Sequence, residues 1–222
     1  MLWHHLIIKL TLLNEYKEIF DEVLGLLNNA KAKLSLKDNA APVFFSQRTV
    51  PFALREKVEQ EILRLEREGN WKKVTYSEWA TPLVPIVKKD GSIRLCGDYK
   101  VTLNPQLQVA QHPLPKPEEM LATMGNSIIF SKLDLRQAFN QLEMDKKSQE
   151  YCTLNTHLGL FQPRRLPYGV SSSPALWQQQ MDRIFCGISG VFCFVDDVLI
   201  AGKDEQDHLK KLKAVLNKIK AH

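Results

Sequence analysis

Residues 191 to 202 read VFCFVDDVLIAG, two apolar runs interrupted by the adjacent aspartates Asp196 and Asp197. Val191 to Val195 and Val198 to Ile200 are apolar and short enough to be buried strands, and a polar pair between them predicts a hairpin. Two carboxylates are thereby left at the end of a buried element, where a charge needs company. Adjacent like charges repel, which favours either a raised pKa or a divalent cation. Taken alone, the stretch is either an acidic turn or half of a metal site.

A chain of 222 residues with 44% hydrophobic content has material for the core of one large or two small domains. Its formal charge of +5 is compatible with a polyanionic partner but does not select one. Cys96, Cys152, Cys186 and Cys193 form no C-x-x-C pair and no zinc-type cluster, which predicts buried reduced thiols in an intracellular protein. The apolar opening MLWHHLIIKLTLL is interrupted by His4, His5 and Lys9 and lacks a small-residue cleavage site, so no signal peptide is expected. No run of about 18 apolar residues predicts a membrane span. The expected location is therefore intracellular, cytoplasmic or nuclear.

Tyr16, Phe20, Val23 and Leu27 predict an amphipathic helix over 12–27 within an N-terminal helical segment, residues 1–34. Residues 35–51 read as an extended connector. Leu54, Val58, Ile62 and Leu65 mark a second helix that Gly69 ends. Leu83–Val87 and Ile93–Leu95 flank Asp90-Gly91, a strong hairpin signal, with Lys88, Lys89 and Arg94 near the tip. Those charges suit either a solvated turn or an anion grip. QHPLPKPEEM, with three prolines, reads as an extended linker. Ile128 to Phe130 open a buried strand ending near Asp134. Ser173 as N-cap, with Pro174 at the first helical position, begins a helix whose Trp177, Met181, Ile184 and Phe185 share a face. A last helix starts near Asp204 with Leu209, Leu212, Leu216 and Ile219 as its stripe.

Asp134 ends an apolar strand as the Asp196-Asp197 pair does. Neighbouring residues of a strand point to opposite faces, so one of the pair can share a site with Asp134 while the other is aimed elsewhere. Carboxylates from separate strands suit hard cations, and two Mg²⁺ ions can activate a hydroxyl and stabilise a leaving pyrophosphate. Lys88, Lys89 and Arg94 could neutralise a triphosphate. These residues suggest a nucleotidyltransferase, while Asp as a common turn residue keeps the acidic-turn reading open.

The segments SEWATPLVPIVKKDGSIRLCGDYKVTLN, HPLPKPEEM, FSKLDLRQAFNQLEM, TLNTHLGLFQPRRLPYGVSSSPALWQ and FVDDVLIAG together resemble the reverse transcriptase region of Ty3/gypsy-type retrotransposon polyproteins, in order and spacing. The resemblance runs from about residue 12 to the C-terminus. It implies an α+β right-hand polymerase fold with fingers (residues 35–125) and a ferredoxin-like palm (residues 126–222), the thumb missing. By that resemblance Asp134, Asp196 and Asp197 are catalytic metal ligands for two Mg²⁺ ions, with Mn²⁺ as a substitute. Lys88, Lys89 and Arg94 match the segment gripping the incoming deoxynucleoside triphosphate. Phe139 matches the aromatic gate against a ribose 2′-OH, although the residue by itself reads as an ordinary core phenylalanine. Tyr168 and Gly169 match the segment against the new base pair, with Gln178 on the helix behind.

Phe194 stands near the primer end where the family usually has Tyr, keeping the ring and losing a hydroxyl. Trp177 stands where Phe is usual, PYG replaces PFG, and Asn70 and Trp71 stand where apolar residues are typical. The implied partners are a primed RNA or DNA template and deoxynucleoside triphosphates, with no membrane. The chain ends 25 residues after Asp197, before the family's primer grip, thumb and RNase H, which normally share the polyprotein. Weak primer-template grip is the resulting expectation. RNA-directed DNA polymerase activity is the leading reading, and a catalytically silent remnant or weak nucleic-acid-binding protein is the alternative.

Overall fold

The computed structural model describes residues 12, 14–21 and 23–222. They fall into two compact units, one from the described residues up to Asn29 with Leu114–Ala138 and Gln178–His222, the other from Ala30–Pro113 with Phe139–Trp177. In chain order, β1 (Lys31–Ala32), β2 (Ser35–Leu36), α1 (Phe52–Arg67), β3 (Trp71–Val74), β4 (Thr81–Val87), β5 (Ile93–Gly97) and β6 (Leu107–Gln108) come first. They are followed by α2 (Pro117–Met124), β7 (Ile129–Asp134), β8 (Glu143–Met144), α3 (Lys146–Tyr151), β9 (Leu154–Thr156) and β10 (Gly159–Pro163). The last elements are α4 (Ser173–Phe185), β11 (Val191–Phe194), β12 (Asp197–Gly202) and α5 (Glu205–Ala221).

The Ala30–Pro113 and Phe139–Trp177 unit is built on a five-stranded sheet of order β3-β10-β9-β4-β5. The Asp90-Gly91 signal is realised there: β4 and β5 pair antiparallel from Leu83 opposite Gly97 to Val87 opposite Ile93. Helix α1 buries Val58 and Ile62 completely, one turn apart on its apolar face, and Gly69 follows its end at φ +71°. Gly97 makes room for the core, since an added Cβ would come within 2.7 Å of the Leu154 and Tyr99 side chains. Tyr99 is thereby buried, its hydroxyl donating to the Cys152 carbonyl at 3.1 Å, and burial pushes its pKa well up.

The other unit carries the three-stranded antiparallel sheet β11-β12-β7 and helix α5. Asp204 caps α5 by accepting from the Asp207 N–H at 2.8 Å. Leu209, Leu212 and Leu216 pack with Leu133 of β7 and with Leu12, Tyr16 and Ile19. One face of the aspartate-bearing sheet is therefore covered. Gly202 lets the start of α5 close on the strand end, where a Cβ would collide with His208.

Five expectations change, the last of them in part. The helix over 12–27 contracts to a short helical stretch and a 3-10 turn, Lys17–Phe20, and residues 23–27 are not helical. Among the described residues of the segment Leu12 and Tyr16 are buried, while Phe20 is 48% and Val23 86% exposed, so half of the proposed stripe lacks a surface to cover. The proline-rich segment is not extended throughout: Pro117 opens α2, at the position where a missing N–H costs nothing, with Glu118 and Glu119 in the first turn. Strand β7 is not buried on both sides. It alternates half-buried with exposed residues, leaving Ile128 and Phe130 largely in solvent, because one face alone meets α5. Ser173 is the first residue of α4 and does not cap it; its hydroxyl donates to the Pro167 carbonyl at 2.9 Å. All four cysteines are free, as expected, but only Cys152 and Cys193 are buried and Cys186 is exposed.

Candidate active site

Antiparallel pairing sets Asp197 directly opposite Asp134, and Leu199 opposite Lys132. On the other side of β12, Phe194 of β11 is opposite Asp197, so Phe194, Asp197 and Asp134 form one row across the open face. Directly opposed side chains lie about 5 Å apart at Cβ, and like charges there destabilise the pairing. Lys132, two residues before Asp134 and on the same face, reaches the row: its Nζ lies 2.8 Å from Asp197 Oδ2. The hydrogen bond to Asp197, with the charges of Asp197 and Asp134 behind it, raises the lysine pKa.

Asp196 occupies the turn between β11 and β12. The residue before it, Val195, has φ +54°, a left-handed conformation that a β-branched residue adopts at a cost of about 1–3 kcal/mol. The surroundings hold that turn in place. Gln178 of α4 is fully buried; its Nε2 donates to the Cys193 carbonyl at 2.8 Å and to Asp182 Oδ1 at 2.8 Å. Its Oε1 accepts from the Val195 N–H at 3.2 Å. The Leu135 N–H, just past the end of β7, donates to the Asp196 carbonyl at 2.7 Å. Cys193 is buried below the same turn, and burial, with the nearby Asp182, Asp196 and Asp197 charges, pushes its thiol up to about 12. Phe194 remains 40% exposed beside the aspartates.

A second cluster lies within the unit of Ala30–Pro113 and Phe139–Trp177. The Tyr168 ring has Phe139 at 5.0 Å between centroids, tilted by 44°, and the Arg94 guanidinium 5.0 Å from its centroid. Phe139 is buried here. Gly169 has φ +92°, and a Cβ there would come within 3.2 Å of the Gly97 carbonyl. Asn104 secures this loop, donating from Nδ2 to the Gly169 carbonyl and accepting from the Ser171 N–H, both at 2.9 Å. Lys88 and Lys89 are exposed at the hairpin tip. The tip is shaped by Asp90, whose carboxylate accepts from the Ser92 hydroxyl at 2.6 Å and its N–H at 2.9 Å, bonds that lower its pKa.

The structure thus brings together Asp134, Asp197 and Phe194, with Asp196 in the adjoining turn, and separately Arg94, Phe139, Tyr168 and Gly169. Lys132 and Asn104 escaped the sequence reading. The first was detectable from its two-residue spacing to Asp134; the second carried no local signal. Among the described residues no group of three or more His, Cys, Asp or Glu side chains is close enough to hold a metal ion. The donors present nevertheless fit a hard divalent cation, being carboxylate oxygens from opposed strands, and a protein cation already sits on one of them.

The model of the family described as reverse transcriptase (RNA-dependent DNA polymerase) matches residues 86–222, and the chain belongs to that family. It is 36% identical over 217 residues to the uncharacterized protein K02A2.6 of Caenorhabditis elegans, covering 97% of this chain and 17% of that protein. Identity to the transposon Tf2-3 polyprotein of Schizosaccharomyces pombe is 36% over 143 residues, 64% of this chain and 11% of the polyprotein. These relatives bear out the Ty3/gypsy-type retrotransposon assignment. The expected α+β right-hand polymerase fold is matched by the foamy viral protease-reverse transcriptase in complex with RNA/DNA hybrid, with TM-score 0.84 at 23% identity over 94% of this chain and 28% of that one. Its complex with double-stranded DNA gives TM-score 0.82 at 24% identity, over 95% of this chain and 37% of that one. No helix of the described residues is long and apolar enough to cross a membrane.

Proposed function

We propose that this chain is the nucleotide-adding part of an RNA-directed DNA polymerase, extending a primer 3′-OH along an RNA or DNA template with deoxynucleoside triphosphates. The observation that carries the reading is the Asp134–Asp197 cross-strand pair, with Asp196 in a turn held in an unfavourable backbone conformation. Asp134, Asp196 and Asp197 are the ligands of two Mg²⁺ ions, which when bound supply charge stabilisation to the attacking and leaving oxygens. Lys88, Lys89 and Arg94 neutralise the triphosphate. Phe139 and Tyr168 form the surface against the sugar and base, and Gly169 keeps that surface free of a side chain. Gln178 acts by positioning, since its amide is committed to the backbone on both sides of Phe194. Phe194 contacts the primer end. In this reading the aspartate sheet with α5 belongs to the palm, and the β4–β5 hairpin with its basic tip to the fingers.

Primer extension on an RNA template with Mg²⁺ or Mn²⁺ tests the reading by comparing wild type with Asp196→Asn. Extension by wild type and its loss in the variant is the expected outcome. Equal extension by both removes the metal assignment. A wild type that retains primer-template but adds no nucleotide makes the chain a silent nucleic-acid-binding remnant.

A further inference from the structure

Lys132 lies on the same face as the aspartates and one row away from them. Leu199, the residue opposite it, offers no polar atom, so the ammonium leans diagonally to Asp197. Its position answers an electrostatic problem: two carboxylates directly opposite on neighbouring strands repel, and a cation 2.8 Å from one of them offsets that repulsion. The pair is also built to open. The Lys132 side chain is 57% exposed and that of Asp197 36%, so the bond is a solvated one, weak and screened, and the long stem can swing into water at little cost. A buried lysine would have blocked the site permanently.

We propose that Lys132 is a displaceable internal counter-cation of the aspartate site. It holds the β7–β12 ends together while no divalent ion is bound. It also competes with that ion for the Asp197 carboxylate and so sets the metal concentration at which the site fills. The inference rests on Asp134 and Asp197 being metal ligands.

The test is Mn²⁺ binding to the full chain, followed by the paramagnetic resonance signal of the free ion, with thermal unfolding measured in parallel. Lys132→Met should bind Mn²⁺ roughly five- to tenfold more tightly than wild type, and Lys132→Arg within about twofold of it. With a chelator present Lys132→Met should unfold at a lower temperature than wild type, and saturating Mn²⁺ should close that gap. Lys132→Gln provides the same comparison should the methionine variant fold poorly. Unchanged or weaker binding in Lys132→Met and Lys132→Gln, with binding abolished in Asp134→Asn, overturns the role of Lys132 and leaves the aspartate site standing. No saturable binding to wild type, or equal binding to wild type and Asp134→Asn, removes the aspartate site and this proposal with it.

Discussion

Asp134 and Asp197 owe their spacing to a backbone ladder, whereas Arg94, Phe139 and Tyr168 meet through side chains carried by three separate segments. In the aspartate sheet, hydrogen-bonded strand pairing and the buried Gln178 amide set the geometry, and the carboxylates project from it. In the aromatic cluster the packed rings are themselves the scaffold. The difference implies that charge at the first site can be changed without moving it, while at the second site geometry and contact are lost together.

The largest expected effect follows from that separation. Asp134→Asn should lower primer extension by about 10³-fold or more, yet leave the unfolding free energy within about 1 kcal/mol of wild type or slightly higher, since a like-charge pair is relieved. A large loss of stability in a denaturant titration would break the contrast. Phe139→Ala should do the opposite at the other cluster, costing about 3–5 kcal/mol by emptying a buried ring site, and the same titration measures it. Gln178→Ala should cost about 3 kcal/mol, because the Cys193 carbonyl and the Val195 N–H both lose their side-chain partner. A loss below about 1 kcal/mol in that variant would show that the turn holds itself. The smallest effect is expected for Val195→Gly, a gain of about 0.5–1 kcal/mol as the positive φ is relieved, read as a raised unfolding midpoint.

Much of the fold was legible because the relevant signals are local. Asp90-Gly91 between apolar runs gave the β4–β5 hairpin, and the stripes of α1 and α5 gave two helices, with Gly69 marking the stop of the first and Asp204 the start of the second. The misreadings share a cause: an apolar pattern states what could be buried and not whether a neighbour is there to cover it. Phe20 and Val23 have helical spacing but no covering surface, and Phe130 sits in an apolar run yet faces water. Pro117 misled differently, since proline excludes a helix interior but suits a helix start.

At the site, the sequence by itself supplied the candidates: three carboxylates at strand ends and a basic hairpin, with Phe139 singled out by the family resemblance alone. It also limited the pairing, because alternation along a strand allows only one of Asp196 and Asp197 to share a face with Asp134. Which one was decided by the tertiary structure. The register of β12 on β7 makes it Asp197, and Asp196 falls in the turn that Gln178 braces. Register depends on pairing between segments far apart in the chain, and a slip of one residue reverses every side chain of the strand. For the same reason the spacing of Lys132 to Asp134 shows only that the two share a face, and its ion-pair partner, Asp197, was identified when β12 was laid beside β7.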